Sequence, residues 1–310
     1  DLVSGSMYTS PTTSIVMLWK KVISEVKQRF KNLFYFDQWI LMFKLNKSQS
    51  IATSLYQFKK IIPPKDRIWA DPFITYKEGI YYIFIEELLF SQNKGFISVI
   101  EMDDKGNYTK PEKVLETDYH LSYPHIIEVV GEVYMLPETK SNKTIELYKC
   151  VEFPYKWKLE KVLMRGVNAV DSTIFYYNEK YWMFTNMVRN PGASSHDELF
   201  LFHSDQLKSD NWKAHPQNPI VSDVRKARPA GKIFMMNEKI YRPSQNCSGH
   251  YGYGLKINEI KIINENEYEE ITVDSIEPDW DRKIKGTHTI NTEQNLTLID
   301  GIYRRSFFGG

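Results

Sequence analysis

A motif of strand, tight turn and second strand recurs along this chain at a nearly constant spacing. Trp69-Ala-Asp-Pro-Phe-Ile-Thr-Tyr-Lys-Glu-Gly79 runs into Ile80-Tyr-Tyr-Ile-Phe-Ile-Glu-Glu87, an aromatic strand that ends in acid. Ser122 to Glu138 repeats it at a shift of 52 residues, placing Gly131 on Gly79, Tyr134 on Tyr82 and Glu138 on Glu86. Val170 to Phe184 places Asp171 on Asp71 and Tyr181-Trp-Met-Phe184 on Tyr81-Tyr-Ile-Phe84; Arg228 to Arg242 and Thr287 to Asp300 are the fourth and fifth copies. A fixed period near 50 residues marks a propeller or an array, and five copies of about 54 residues fill nearly everything after residue 35. Further strand patterns between copies, such as Gly95 to Glu101, Thr144 to Lys149 and Glu198 to His203, supply outer strands. The expectation is an all-β fold, a single five-bladed β-propeller over residues 35–310 with four strands to a blade. Leu296 to Tyr303 leaves the last blade short, so the early strand Tyr35 to Phe43 is expected to close the ring there.

Ahead of that strand, Val16, Trp19, Val22, Ile23, Val26, Phe30 and Leu33 recur at helical spacing among lysines and arginines, which predicts a short amphipathic helix within residues 7–34. Its basic face suits a peripheral contact with a membrane surface through residues 15–34. Residues 1–6 read as a cloning scar before Met7. The apolar stretch Ile15 to Trp19 is far short of the roughly 20 residues a span requires. Only Cys150 and Cys247 occur, far apart, so a reducing compartment and a cytoplasmic protein are expected. Lys+Arg 40 against Asp+Glu 39 argues against a nucleic-acid partner. Aromatic residues make 14% of the chain, which favours strands and also suits stacking on sugar rings.

The inner strand of each propeller blade lines the central channel, so Asp71, Tyr123, Asp171, Arg228 and His288 are expected to converge there. The second strands of the first two copies end in Glu86-Glu87 and Glu138. Glycosidic chemistry needs two carboxyl groups, one to activate the attacking oxygen and one to protonate the leaving oxygen. Asp71, Asp171, Glu87 and Glu138 are therefore the catalytic candidates, with Trp69, Tyr123, His125 and His288 as substrate contacts. Arg228, joined by Arg242 and Arg225, points to an anionic group, because a guanidinium fork holds phosphate or carboxylate in paired hydrogen bonds. A sugar, sugar phosphate or nucleotide sugar is the expected partner. No metal ligands are assigned and no cofactor is required; Tyr251-Gly-Tyr-Gly254 reads as a blade turn. No nucleophilic Ser elbow, P-loop or zinc-protease helix is present in the sequence.

Trp69-Ala-Asp71-Pro-Phe and Val170-Asp171-Ser-Thr-Ile resemble the first and third blade openings of the five-bladed furanosidase-type glycoside hydrolases. More specifically, Ala227 to Phe234, Tyr241 to Ser248, Tyr251 to Gly254 and Gly286 to Asn291 resemble the propeller domain of plant glucosamine inositolphosphorylceramide transferases and their bacterial relatives. The resemblance spans about residues 36 to 301. It implies Asp71 as general base and Asp171 as the carboxylate that orients substrate. It implies a fused or associated glycan-modifying domain, and in some related hydrolases a calcium ion near the axis. Those hydrolases carry a general-acid Glu at the fourth blade opening, where this chain has Arg228-Pro-Ala-Gly231. The expected function is action on a sugar or sugar conjugate, at a glycosidic or glycosyl-phosphate bond. The alternatives are a non-catalytic glycan- or nucleotide-sugar-binding domain of a larger protein, and a furanosidase whose displaced acid is Glu87 or Glu138.

Overall fold

Four of the five copies turn on a residue pair that both adopt positive φ: Glu78-Gly79, Val130-Gly131, Asn178-Glu179 and Asn237-Glu238, with values from 49° to 85°. Such two-residue turns carry the twist that antiparallel strands need, so they pin the register of each inner hairpin. Lys77 thus pairs with Ile80, Val129 with Glu132, Tyr177 with Lys180 and Met236 with Lys239. The computed structural model describes residues 34–46, 55–190 and 192–308. The amphipathic segment Val16 to Leu33 lies outside them.

From these hairpins five antiparallel sheets are built, one per copy. Blade I comprises Arg67–Lys77, Ile80–Leu89, Lys94–Met102 and Glu112–Leu115; blade II comprises Ser122–Val129, Glu132–Thr139, Thr144–Glu152 and Lys156–Arg165. Blade III comprises Ala169–Tyr177, Lys180–Met187, Glu198–Ser204 and two short edges; blade IV comprises Phe234–Met236, Lys239–Asn246, Gly254–Ile263 and Tyr268–Ile276. Blade V sets Ile284–Gly286 and Ile290–Glu293 against Leu296–Ser306, which pairs with Tyr35–Leu45 and through it with Lys59–Ile61. The early strand therefore closes the ring, as the short fifth copy requires. No helix among the described residues is long and apolar enough to cross a membrane.

Strand alternation explains the core. Ile83 and Ile85 face blade V, where they pack with Leu41, Phe43, Leu296 and Leu298, while Phe84 between them faces Leu121, Ile126 and Met135 of blade II. Each of the five junctions holds one such cluster, so the core is a ring of five apolar seams. A second, small unit holds Phe34–Asp37 and Arg304–Phe308, in which Arg304 forks onto both oxygens of Asp37 at 2.8 Å and Phe36 packs on Phe307.

Arg242, expected in the channel, lies inside blade IV instead. Its guanidinium forks onto Glu270 at 2.8 Å through two nitrogens and also donates to the carbonyls of Lys226 and Ala227. Tyr268 donates to the same carboxylate at 2.6 Å. The side chain is fully buried, so its charge is satisfied within the blade and is withdrawn from any ligand. Removing one partner of such a pair strands the other, at a cost of about 3–5 kcal/mol. Arg242→Ala is expected to lose about that much stability in urea unfolding, whereas Arg242→Met with Glu270→Leu, which removes both charges, is expected to lose less.

Candidate functional site

Three of the blade openings share a backbone distortion. The inner strands of blades I, II and III slip register between Ala70 and Phe73, Ser122 and His125, and Val170 and Thr173. Within each slip one residue takes a left-handed conformation: Asp71 (φ 49°), Tyr123 (φ 46°) and Asp171 (φ 51°). Such bulges re-aim side chains, and a non-glycine residue at positive φ persists only where its surroundings over-determine it. Here hydrogen bonds do so. Asp300 Oδ2 accepts the Asp71 N–H at 3.0 Å, and Asp71 Oδ2 in turn accepts the Tyr123 N–H at 3.2 Å.

The bulges turn Asp71 and Asp171 toward His288 and Arg228 at one end of the channel. Asp71 Oδ1 accepts the Thr289 hydroxyl at 2.8 Å and stands 3.7 Å from His288 Nδ1, which bonds Asp300 Oδ2 at 2.5 Å. Opposite, Arg228 Nε and Gln245 Nε2 donate to Asp171 Oδ2 at 2.5 and 2.8 Å. Arg228 also donates to His196 Nδ1 at 3.0 Å and reaches within 3.8 Å of Glu138. Glu138 Oε2 is buried with no hydrogen-bond partner among the described residues. Tyr251 covers the group: its ring stacks on His196, meets His288 edge-on at 5.2 Å and lies 4.8 Å from the Arg228 guanidinium. Trp39 stacks on the other face of this set, 4.0 Å from His288. Gly252 must be glycine for that approach, since at φ +68° a Cβ would fall 2.7 Å from the Trp39 ring.

Burial sets the protonation. It pushes Asp71 up to about 7, against the pull of His288 and with Asp171, Glu86 and Asp300 adding to the rise. Burial and then Asp171 hold Glu138 well above the usual carboxylate range, although Arg228 opposes them. Burial disfavours the imidazolium of His288, yet Asp300 and Asp71 lift it to about 9. The site thus holds a carboxyl poised near neutrality, a second kept protonated, and two cations bound to carboxylates.

The other sequence candidates are placed elsewhere. Glu87 turns into the wall of blade I, where it accepts bonds from Arg67, Trp69 and Ser98 at 2.9, 3.2 and 2.7 Å. Trp69 goes with it into the blade I–V seam. Their neighbour Glu86 faces the axis, pairs with His120 at 3.3 Å and adds to the field at Asp71. Arg225 is exposed and engaged by Asp223. His125 sits farther down the channel, and its Nε2 bonds the Ile174 carbonyl at 3.0 Å. Tyr123 is buried across the channel, sharing a hydrogen bond with the Thr173 hydroxyl at 2.9 Å and accepting the Gly231 N–H at 2.8 Å. Sequence reasoning passed over Asp300, Gln245, Thr289, His196 and Tyr251, and of the pair Glu86-Glu87 it chose Glu87. A signal existed for Glu86 and Gln245: Glu86, Glu138, Asn186 and Gln245 occupy one repeat position, seven residues beyond the turn.

Asp71, His288 and Asp300 offer ligand atoms within 4.8 Å of one another. This set does not fit calcium, which takes about six to eight oxygens. The oxygens of Asp300 already accept three backbone N–H groups and the His288 imidazole.

Fold and site together define a five-bladed propeller whose channel carries a buried carboxylate cluster at one end. Solved structures of like fold include Zg3597, a family 117 glycoside hydrolase of the marine bacterium Zobellia galactanivorans (TM-score 0.54, 9% identity, 86% of this chain and 90% of that chain). The alpha-L-arabinofuranosidase PaAbf62A from Podospora anserina is another (TM-score 0.56, 9% identity, 75% and 90%). At these identities the likeness is one of fold. Residues 60–298 match the family described as glucosamine inositolphosphorylceramide transferase 1, N-terminal, and the chain belongs to that family. Two relatives, each named glucosamine inositolphosphorylceramide transferase 1, come from Arabidopsis thaliana and Oryza sativa subsp. japonica. Each is 33% identical over 207 residues, 66% of this chain, and the chain covers 27% and 28% of their respective lengths.

The electrostatics predict a pH dependence of stability. His288 rises from 6.5 to about 9 on folding, so its contribution is complete below about pH 6.5 and is lost as pH rises through about 9. Asp71 acts in the same direction: its value rises from 3.8 to about 7, so ionising it opposes the folded state between those pH values. The melting temperature is expected to fall between pH 6.5 and 9, and His288→Gln to flatten that fall.

Proposed function

We propose that this propeller acts on a sugar or sugar conjugate at a glycosidic or glycosyl-phosphate bond. Asp71 is the general base, Glu138 the general acid, and Asp171 with Arg228 orients the substrate. The observation that carries this reading is the pair of environments around two carboxyl groups of one buried cluster. Asp71 is pushed to about 7, near a working pH, and Glu138 is held protonated, in hydrogen-bond reach of Asp171. Asp71 takes the proton of an attacking hydroxyl, whose oxygen bonds the anomeric carbon. The bond from that carbon to the leaving oxygen breaks, and Glu138 supplies its proton to that oxygen. A phosphate leaving group needs no such proton, and Arg228 suits its charge. Glu138 from blade II would then do the work of the acid absent from the opening of blade IV. The name of the plant relatives supports transfer to or from a conjugate bearing an inositol phosphate.

A binding module without turnover is the second reading. It is favoured by the closure of the cluster, with Asp71, Asp171 and Arg228 only 4%, 2% and 7% exposed, and by the small share of the relatives that the chain spans. Thermal-shift screening against sugar phosphates, nucleotide sugars and neutral furanosides identifies a ligand, since binding to the native state raises its melting temperature. Charged sugars are expected to stabilise the wild type and to lose that effect in Arg228→Ala; equal stabilisation by neutral furanosides alone would overturn the role of Arg228. With that ligand, Asp71→Asn and Glu138→Gln are each expected to lower turnover at least about 100-fold while circular dichroism stays unchanged. The rate should climb through about pH 7 as Asp71 ionises. Binding retained in Asp71→Asn, with no turnover by the wild type, would establish the module instead.

A further inference from the structure

The channel has a second mouth, at the end where the two-residue turns gather. Tyr123 and Phe73, edge to face at 4.8 Å, fill the channel between the two ends. Beyond them a cavity of about 450 Å³ opens, lined by His125, Glu128, Tyr176, Tyr181 and Lys232 among isoleucine, valine and phenylalanine side chains, within the size range of small-ligand pockets. Tyr176 and Tyr181 stand side by side on its wall, their ring centroids 4.8 Å apart and their planes tilted by 50°.

Lys232 is brought to this cavity by the backbone before it. Gly231 sits at φ +136°, and a Cβ there would fall 2.1 Å from the Ile290 carbonyl oxygen, so only glycine lets the chain pass so close to blade V. The Lys232 N–H donates to Asn291 Oδ1 at 2.7 Å, and its Nζ crosses to the Ile74 carbonyl at 2.7 Å, 3.8 Å from Glu293. Glu128 accepts the Thr75 hydroxyl at 2.5 Å. One ammonium thus faces two carboxyl groups, a balance that does not favour an anion.

His125 supplies the second observation. A carbonyl can only accept, so the Nε2 that bonds Ile174 O carries the proton and Nδ1 presents a lone pair. The residue is 3% exposed, and Nδ1 has no partner among the described residues. A buried acceptor left unpaired is costly, and with no accessible surface this atom marks a polar wall beside the cavity rather than a direct ligand contact. Glu128 and Lys232 are already bonded within the wall, so a ligand meets them as a second partner, Glu128 through its remaining acceptor sites and Lys232 through its remaining N–H groups.

We infer that this mouth is a second saccharide site, for a neutral, hydroxyl-rich sugar that donates to Glu128, accepts from Lys232 and rests its apolar ring face on Tyr176. It shares no side chain with the Asp71 cluster and stands or falls independently of the proposed chemistry there. Saturation-transfer NMR with glucose, galactose, mannose and N-acetylglucosamine, followed by titration, tests it on the full chain. At least one of these sugars is expected to bind the wild type, and Tyr176→Ala and Glu128→Gln to weaken it about tenfold or more. Tyr176 is 56% exposed, so its replacement leaves the core intact. Asp71→Asn should bind as the wild type does. No binding by any of the four sugars would overturn the inference. Loss of binding in Asp71→Asn with Tyr176→Ala unaffected would also overturn it, by moving the sugar to the other mouth. Glucose 6-phosphate binding more tightly than glucose, with the same sensitivity to Tyr176→Ala, would overturn its neutral specificity.

Discussion

Asp300 holds four donors on two oxygens with no exposure to water: the N–H groups of Asp71, His288 and Thr289, and the His288 imidazole. A carboxylate bonded in this way is a fixed internal anion, and removing its donors would leave an uncompensated buried charge. It joins the last blade to the first at the point where the ring must close. It also fixes Asp71 at its left-handed φ, and Asp71 then holds Tyr123 by the same device one blade further. Tyr123 spans the channel to Thr173 and Gly231, in blade III and just before the inner strand of blade IV. The axis is therefore organised by hydrogen bonds running from blade to blade, while the apolar seams outside supply the bulk of the burial.

That arrangement separates structural from reactive charge. Arg228 and Gln245 clamp Asp171, and His288 is bound to Asp300, so these groups stay in place. Glu138 beside them is held by burial and by Asp171 in its protonated form, with Arg228 3.8 Å away. Because the repeat delivers a polar side chain at the position of Glu86, Glu138, Asn186 and Gln245 in four successive blades, a proton donor can sit on any of them without altering the fold. The absence of an acid from the opening of blade IV therefore leaves the chemistry possible.

The blades were legible because turn chemistry and strand alternation are local properties, repeated along the chain at similar though unequal shifts. Asp71 and Asp171 were legible because they fall on one another in that repeat. Glu87 was read in place of Glu86 through strand parity: adjacent residues face opposite ways, and a one-residue choice sends a carboxylate into the wall or onto the axis. Arg242 was misplaced for a similar reason, since its partner Glu270 lies two strands away and no spacing announces it. Asp300 ends the fifth copy, but its role rests on backbone N–H groups from residues far apart in sequence, which no side-chain pattern records.

Access to the cluster turns on unequal interaction strengths. The Asp171–Arg228 pair is buried and hydrogen-bonded, so separating it would cost several kcal/mol. Tyr251, which covers it, is 40% exposed and is held by ring contacts and one cation–π contact of about 0.5–2 kcal/mol. Its backbone is constrained by the fit of Gly252 against Trp39, so the motion open to it is rotation of the side chain. A ligand that stacks or donates to the same surface can replace those weak contacts, whereas none of comparable size could replace the ion pair. Tyr251 is thus the most weakly held part of the site, and the ion-paired network under it the most strongly held.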